Sequence, residues 1–417
     1  MDVPEERELP LHAALSRSEH DIRALGLTVD IEQHGSGPHL TLAHLRDPGG
    51  NTLSLGLGKG HALAAEVGAR FEALEHLLSS RYAHAAPVLR SVDELLAAQG
   101  AEVAGQVPFA LLADQREETM ACHSFSGMEG QGFDYPIALS FPDYVAAPLP
   151  GDTFDYAGLK RYSCNSGMAI GSTLDEALLH ALNECIERDA LSLFLIRHFF
   201  YAIPGAPRVV ATEDLTANIR TLHQQVCGII QADVTLLDIS TEFGVTCCVA
   251  TDNLVRRKAL FGAGASLDPT LAARRALYEL LQSHLGMLEH EGKTAKTDRP
   301  EHCSELLRAW PSLQRCLQFD VQTLLRTHPA ERVRLRPRPL GSLREQIRCI
   351  TQQLHEAGLT PGYREVHREP SGTVLVNVVI PGLERFFLVM LGNVVAPGQR
   401  GVALIQSLRP AAGCPQQ

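Results

Sequence analysis

The sequence lacks the features by which membrane and exported proteins are recognised. Its longest apolar stretch, from Thr373 to Val395, is broken by Pro381 and Glu384, so it contains no uninterrupted run of the roughly 18 residues that a bilayer span needs. The chain begins MDVPEERELP, which is acidic rather than basic and then apolar. No transmembrane helix and no signal peptide are therefore expected, and the predicted location is the cytoplasm.

An excess of positive charge is also missing. The 37 Lys and Arg residues are outnumbered by 48 Asp and Glu residues, which gives a formal net charge of -11. Proteins that bind nucleic acids non-specifically depend on a basic surface, so no nucleic-acid partner is predicted. With 45% apolar and 20% charged residues, the composition is that of a globular protein, and 417 residues are enough for a large core.

Three well-known motifs are absent as well. The ten cysteines include no C-x-x-C pair, and the adjacent Cys247 and Cys248 fit a strand better than a metal site. The 18 histidines include no H-E-x-x-H motif, which leaves a zinc hydrolase as a remote alternative. Lys59 lies between two glycines, but the P-loop pattern G-x-x-x-x-G-K-[ST] does not occur.

Patterns of both helix and strand are present along the chain. Apolar periodicity and Gly or Pro punctuation predict helices near residues 11–26, 62–80, 91–99, 173–198, 269–289 and 342–358. Strands are predicted near residues 27–31, 39–55, 233–251, 259–265 and 374–380, the second of these as a hairpin. The predicted fold class is α+β (mixed α/β). Residues 1–50 are expected to form an N-terminal helix and strand portion, and residues 51–417 the main portion of one compact unit.

The longest predicted helix carries three carboxylates on one side. Ser172 or Thr173 is expected to cap its N-terminus, and Glu176, Glu184 and Glu187 follow. At 100° per residue, the eleven-residue step from Glu176 to Glu187 returns to within about 20° of the same direction. Like charges on one face destabilise a helix, and a bound cation would remove that cost. The rest of this helix is apolar, so its carboxylates are expected to be buried and to need partners or a metal.

Two further predicted helices carry polar residues at matching spacings. Glu72 and Glu75 form an i, i+3 pair, and Arg275, Glu279 and Gln282 share one face of a later helix. Carboxylate oxygens are suitable ligands for Mg²⁺, and a guanidinium can clamp a phosphate. Each pair alone is more often a solvated helix face, so spacing by itself supports no more than the hypothesis of a metal-dependent enzyme.

Four segments, taken together and in this order, resemble the signature of the YcaO family. They are Lys59-Gly60 through Glu72-Ala-Leu-Glu75, Ser163 to Ala190 with its E-x-x-E-R-D-A ending, Arg275-Ala-Leu-Tyr-Glu279 with Gln282, and Pro381-Gly-Leu-Glu384. The resemblance covers most of the chain and implies a YcaO-type fold, with sheets packed against long helices that carry the Glu pairs. It also implies that residues 51–417 form the catalytic domain.

The resemblance implies a site for ATP and Mg²⁺. The residues it assigns to the metal are Glu72, Glu75, Glu176, Glu184 and Glu187. Those it assigns to ATP are Lys59, Ser172, Glu176, Arg188, Arg275, Glu279 and Gln282, with Ser16 or Ser18 from the first helix. Glu187 and Arg275 are expected to be catalytic.

The sequence also departs from the family pattern at three places. Ser172 replaces an Asn, and His76 replaces an Arg. The chain ends RPAAGCPQQ rather than in a Pro-x-Pro-x-Pro tail, so a catalytic role of the tail is not carried over.

The reaction that the resemblance implies is activation of a peptide backbone amide. A nucleophile adds to the carbonyl, the resulting oxyanion takes the γ-phosphoryl group of ATP, and phosphate leaves with the former carbonyl oxygen. The leading expectation is conversion of Cys, Ser or Thr to azolines in a ribosomally made precursor peptide. An E1-like or leader-binding partner and a flavin dehydrogenase would accompany that reaction.

Three alternatives stay open at this point. They are thioamide formation with a TfuA-like partner, help in methylthiolation of a ribosomal protein, and a non-catalytic scaffold. The oligomeric state is left open between a monomer and a homodimer.

Overall fold

Helices and strands alternate through most of the chain in the structure, which is a computed structural model. It describes residues 3–100, 103, 105–128, 130–254, 260–293 and 305–408. The helices are α1 (Leu11–Ala24), α2 (Ala62–Tyr82), α3 (Val92–Ala98), α4 (Val107–Ala110), α5 (Leu174–Leu195), α6 (Ala217–Ile230), α7 (Pro269–Lys293), α8 (Pro311–Gln318), α9 (Val321–Thr327), α10 (Leu343–Glu356) and α11 (Gln399–Leu408). A π-helical turn, Ile196–Phe200, continues α5.

The strands form three sheets. They are β1 (Thr28–His34), β2 (His39–Arg46), β3 (Thr52–Gly60), β4 (Val88–Ser91), β5 (Thr119–Gly127), β6 (Phe133–Pro136), β7 (Met168–Gly171), β8 (Arg208–Val210), β9 (Val234–Asp238), β10 (Thr246–Asp252), β11 (Phe261–Ser266), β12 (Glu331–Val333), β13 (Gly362–Arg368) and β14 (Val374–Val379). The sheet orders are β1-β2-β3, β11-β10-β9-β8-β12, and β4-β5-β13-β14-β7 with β6 beside β5. Neighbouring strands are antiparallel except for the parallel pair β8 and β12. The predicted mixed α/β class is confirmed.

Most predicted elements are found within a few residues of their expected bounds. The hairpin β2–β3 and the helices α2, α5, α7 and α10 lie where periodicity placed them, and Cys247 and Cys248 both lie in β10. The predicted strand at 259–265 is β11, although Ala259 itself lies outside the described residues. The C-terminal prolines Pro410 and Pro415 lie outside them too.

Two of the helices lie directly on strands that contain glycine. A Cβ on Gly56 or Gly58 of β3 would overlap backbone atoms of Ala69 or Ala65 in α2. The same holds for Gly262 and Gly264 of β11 against α7. Close packing of this kind needs both a strand without side chains at the contact and small residues on the helix. The close contact fixes the position of each helix relative to its strand.

One large hydrophobic cluster includes buried residues from Ile22 in α1 to Ile405 in α11, and a second packs α6 and α7 against the β8–β11 sheet. The predicted boundary at residue 50 falls in the turn between β2 and β3, two strands of one sheet. The division into two portions stays a prediction. Within the described residues, no helix is both long enough and apolar enough to cross a bilayer.

A buried ion pair joins α11 to α5. The Asp189 carboxylate is fully buried and accepts hydrogen bonds from Arg400 Nε and Nη2 at 3.0 and 2.8 Å. Arg400 Nη1 also donates to exposed Glu242 at 2.8 Å. The backbone N–H groups of Gly398 and Gly401, around the start of α11, donate to Glu384 at 3.0 and 2.7 Å. Glu384, the last residue of the P-G-L-E segment, therefore caps this helix.

Candidate active site

Helices α2 and α5 bring their glutamates together over strand β7. The backbone N–H of Ile170 donates to Glu75 Oε2 at 3.0 Å, and that of Gly167 donates to Glu184 Oε2 at 3.3 Å. Gly167 immediately precedes the four-residue strand β7 and Ile170 lies within it, so the two carboxylates are held over the same short segment. The interaction between the Glu75 and Glu184 charges is strong enough to raise the pKa of Glu75.

Burial and mutual repulsion perturb every carboxylate of this group. The pKa of Glu75 is raised well above its ordinary value by burial and then by Glu184 and Glu72. Burial is also the main cause of the raised pKa of Glu72 and of Glu184. Burial, with Glu279 and Glu184 nearby, raises the pKa of Glu187 to about 7. Such a group of buried like charges is unfavourable unless cations join it.

Two basic residues contact carboxylates of the site but do not neutralise all of them. Arg188 Nη2 lies 3.7 Å from Glu184 Oε1, and Arg188 Nη1 lies 3.7 Å from Glu187 Oε1. Lys59 Nζ lies 3.8 Å from Glu279 Oε2, which joins α7 to the site. Burial lowers the pKa of Arg188, but the surrounding carboxylates outweigh burial and raise it. Five carboxylates therefore meet two cations, which leaves negative charge for a bound metal to balance.

The donor set fits Mg²⁺ together with a nucleotide. Carboxylate oxygens are hard ligands, and Mg²⁺ usually takes one or two of them and completes its shell with water and phosphate oxygens. Within the described residues, no three Asp, Glu, His or Cys side chains are close enough to hold an ion by themselves. Glu72, Glu75 and Glu184 keep part of their surface exposed, and we call the region that they line together with Glu187 the cleft. The four glutamates lie in pairs on two helices and do not form a closed metal cage.

Glu176 lies apart from the Glu184 and Glu187 pair along α5. It is eight residues before Glu184, a rise of about 12 Å along the helix, and its Oε1 lies 3.3 Å from Arg7 Nε. Burial raises the pKa of Glu176, while Arg7 and the Ser172 hydroxyl lower it. Glu176 therefore lies beside Arg7 and one turn or more away from the Glu184 and Glu187 pair, and its assignment to the metal stays a prediction. Thr173 is the N-cap of α5, as one of the two expected caps.

The other predicted residues of α7, Arg275 and Gln282, lie on the helix that Glu279 joins to the site. Arg275 Nη1 donates to the backbone oxygen of Ala265 at 2.7 Å, and Arg275 Nη2 lies 2.8 Å from Glu6 Oε2. Gln282, one turn after Glu279, has a buried Oε1 without a hydrogen-bond partner in the part of the chain that is described. A buried, unsatisfied amide oxygen beside a charged cleft is a position where a ligand or water is expected to donate.

The two serines assigned from helix α1 do not reach the cleft by any contact among the described residues. Ser18 is fully buried and its hydroxyl donates to Leu15 O at 2.8 Å, whereas Ser16 is exposed. The residue of α1 that approaches the site is Arg17, whose Nη1 donates to Ser172 O at 2.6 Å. The assignment of Ser16 or Ser18 to ATP stays a prediction.

Several residues of the site were not expected from the sequence. They are Glu6, Arg7, Arg17, His180, Asn183 and Ser266. His180 is an exposed residue of α5, near the charges of Arg7, Arg275 and Lys59. Its one sequence signal is the i, i+4 spacing to Glu176 and Glu184 on α5.

We expect Glu187 to make the metal-free protein less stable as the pH rises from 4.5 to about 7. The pKa of Glu187 is raised from 4.5 to about 7 in the folded state, so the folded state binds this proton more tightly than the unfolded state. Its contribution to the free energy of unfolding is complete below pH 4.5 and is lost as the pH passes about 7. Urea unfolding in EDTA across this range should show a flatter pH dependence for Glu187→Gln. If the free energy of unfolding depended on pH equally in the two proteins, the raised pKa of Glu187 would be contradicted.

Comparison with known proteins identifies the family. The family model described as YcaO cyclodehydratase, ATP- and Mg²⁺-binding, matches residues 57–384. The chain belongs to the YcaO family. ATP and Mg²⁺ are accordingly its cofactors. An uncharacterised protein of Methanothermobacter thermautotrophicus is 29% identical over 235 residues, which cover 54% of this chain and 56% of that protein. The match thus spans little more than half the length of this relative.

Solved YcaO structures share the fold. YcaO from Methanopyrus kandleri, bound with AMPPCP and Mg²⁺, aligns with a TM-score of 0.62 and 19% identity over 92% of this chain and 93% of that one. A heterocyclase in complex with substrate and cofactor aligns with a TM-score of 0.64 and 19% identity, over 92% of this chain and 54% of that one. The E. coli microcin synthetase McbBCD complex aligns with a TM-score of 0.58 and 15% identity, over 86% and 88%. At these identities the likeness shows the YcaO fold.

Proposed function

We propose that this YcaO protein uses ATP to phosphorylate the oxygen of a peptide backbone amide, and that it thereby converts Cys, Ser or Thr residues of a precursor peptide to azolines. The observation that carries the proposal is the meeting of Glu75 and Glu184 over β7, beside Lys59 and Arg188. An amide oxygen is a poor leaving group, and phosphorylation turns it into a good one. The family's cyclodehydratase description supports this reaction.

Each part of the cleft has a role in this proposal. Glu72, Glu75, Glu184 and Glu187 would hold Mg²⁺, which when bound neutralises phosphate charge and orients the triphosphate. Arg188 and Lys59 offset part of the repulsion between the carboxylates while the nucleotide is absent, and their positive charges suit phosphate oxygens. Glu279 positions Lys59, and Gln282 offers its free oxygen to the ligand. Glu176 and Ser172, with Arg7, would bind the nucleotide at the other end of the cleft.

The chemistry balances without a redox step. The side-chain heteroatom of the peptide adds to the preceding carbonyl carbon, and its proton leaves to solvent. The oxyanion takes the γ-phosphoryl group of ATP, which releases ADP. Loss of the amide proton and of phosphate then forms the C=N bond. The net change in the peptide is the loss of one water, and ATP is converted to ADP and phosphate.

The proposed partners follow from this reaction. The substrate is a precursor peptide, presented by an E1-like or leader-binding protein, and a flavin dehydrogenase would be needed only if azolines are oxidised further. The McbBCD assembly is a complex, and one structure of it is described with pro-MccB17 bound, which supports a multi-protein arrangement. Thioamide formation with a TfuA-like partner is the second candidate, because the same cleft would activate the amide for attack by sulfide.

Mass spectrometry of the peptide product tests the proposal. The purified protein is incubated with Mg²⁺, ATP, the partner protein encoded beside its gene, and a Cys-containing peptide encoded in the same region. The peptide product should have lost one water per modified residue. Replacement of oxygen by sulfur, when sulfide is supplied, would support the thioamide reaction instead. Binding of the peptide with no ATP-dependent change in mass, under both conditions, would support a scaffold and contradict both enzymatic proposals.

A further inference from the structure

The segment before helix α1 lies across the candidate site. Three consecutive residues, Glu5, Glu6 and Arg7, each form an ion pair with a residue of α7 or α5: Arg274 at 2.9 Å, Arg275 at 2.8 Å and Glu176 at 3.3 Å. Each charge in the segment is opposite to that of the side chain that it contacts. We call residues 5–7 the N-terminal strap.

Glu6 is the central contact of the strap. Its side chain is buried, and its carboxylate accepts hydrogen bonds from Ser266 Oγ at 2.5 Å and from Asn183 Nδ2 at 3.4 Å, besides its contact with Arg275. A guanidinium, a hydroxyl and an amide N–H₂ directed at one point form a pocket that suits any oxyanion, phosphate included. Glu6 therefore fills an anion pocket, and two residues of that pocket, Arg275 and Asn183, belong to the helices α7 and α5 that carry the candidate site.

The backbone of Glu6 is in an uncommon conformation. Its φ is 56°, in the left-handed region that residues other than glycine seldom adopt. Such a conformation persists when the surrounding contacts favour it, and it is common at sites that switch. The contacts with Arg275 and Ser266 hold Glu6 in place, so loss of those contacts would release the backbone as well.

We propose that Glu6 is an internal anion that competes with a phosphate of the nucleotide for Arg275, and that it thereby sets the affinity of the protein for ATP. The inference rests on the proposed function, since it needs a nucleotide in this cleft. Arg275 Nη1 stays bonded to Ala265 O, which fixes the guanidinium while its Nη2 exchanges one anion for another. Because Glu6 neutralises Arg275 in the nucleotide-free protein, a phosphate must displace it to form a charged contact.

Calorimetric titration with Mg²⁺ and AMPPCP, an ATP analogue that is not turned over at the γ-phosphate, tests the inference. We expect Glu6→Gln to lower the Kd about tenfold, because the amide cannot neutralise Arg275. The matched control is Glu5→Gln, which removes an exposed charge one residue away and should leave the Kd unchanged. In a protein that already carries Arg275→Gln, Glu6→Gln should not lower the Kd further. An unchanged or higher Kd for Glu6→Gln in the otherwise native protein would overturn the inference.

A second variant covers the case in which Glu6→Gln does not fold. Ser266→Ala removes one hydrogen bond to Glu6 without a change of charge, and it should also lower the Kd, by a smaller factor. Thermal unfolding without nucleotide shows which variants are folded. Failure of the native protein to bind Mg²⁺ and AMPPCP would refute the proposed function itself. Binding that neither Glu6→Gln nor Ser266→Ala strengthens would refute only the role of Glu6.

Discussion

Glu187→Gln should reduce ATP turnover by roughly a hundredfold or more and leave the fold intact. Glu187 Oε1 lies 3.7 Å from Arg188 Nη1, and burial, followed by the nearby carboxylates of Glu279 and Glu184, raises the pKa of Glu187 to about 7. An amide keeps the shape of the side chain but removes the negative charge that would bind the metal. Phosphate release in the presence of the peptide substrate measures the loss. Turnover at the native rate would refute the metal-binding role.

Two controls distinguish the loss of a metal ligand from disruption of the fold as the cause of lost activity. Asp175→Asn alters an acidic residue in the first turn of the same helix, where Asp175 pairs with exposed Arg344, and it should retain activity. The free energy of unfolding of Glu187→Gln, measured at neutral pH in EDTA, should be equal to or higher than that of the native protein, because the substitution removes a carboxylate that burial disfavours. A large loss of stability instead would mean that Glu187 has a structural role.

Asp189→Asn should destabilise the protein by about 3 kcal/mol, although Asp189 lies only two residues after Glu187. The fully buried Asp189 carboxylate accepts two hydrogen bonds from Arg400 and one from the backbone N–H of Glu384 at 2.8 Å. The substitution leaves the Arg400 guanidinium, which is 19% exposed, without its buried counter-ion. Urea unfolding measures the change in the free energy of unfolding.

Glu242→Gln is the matched control, since Glu242 contacts the other edge of Arg400 but is 55% exposed. An exposed ion pair contributes less than about 1 kcal/mol, so this variant should be nearly as stable as the native protein. Asp189→Asn combined with Arg400→Gln should lose less than the sum of the two single changes, because the buried charge and its partner are then both removed. Equal effects of Asp189→Asn and Glu242→Gln would contradict this account.

The part of the site that could be predicted from the sequence is the part that helical periodicity encodes. The i, i+3 pairs on α2 and α5 and the Arg275–Gln282 face of α7 are local patterns. The structure brings Glu75 and Glu184 to one strand and Glu279 to Lys59. Periodicity gives the direction of Glu176 around the helix axis but not its distance along that axis, and a rise of about 16 Å over eleven residues separates Glu176 from Glu187.

The remaining site residues depend on contacts that are distant in sequence. Glu6 meets Ser266 and Arg275 across more than 250 positions, and residues 3–10 have no periodicity that would predict a role. The choice between Ser16 and Ser18 in α1 could not be made from the sequence for a related reason. Ser18 lies on the buried face of that helix, so its hydroxyl serves the core, and a pattern of serines cannot show which face is buried.

The glycines of β3 and β11 limit how this site can change during evolution. Because the strands carry no side chain where α2 and α7 cross them, a single added methyl group at Gly58 or Gly264 would lift a whole helix together with its charged residues. The positions of the polar groups therefore depend on the packing of the backbones of α2 and α7 against their strands. Residues that line the opening can change during evolution and alter the substrate range, whereas the distance between each helix and its strand can change very little.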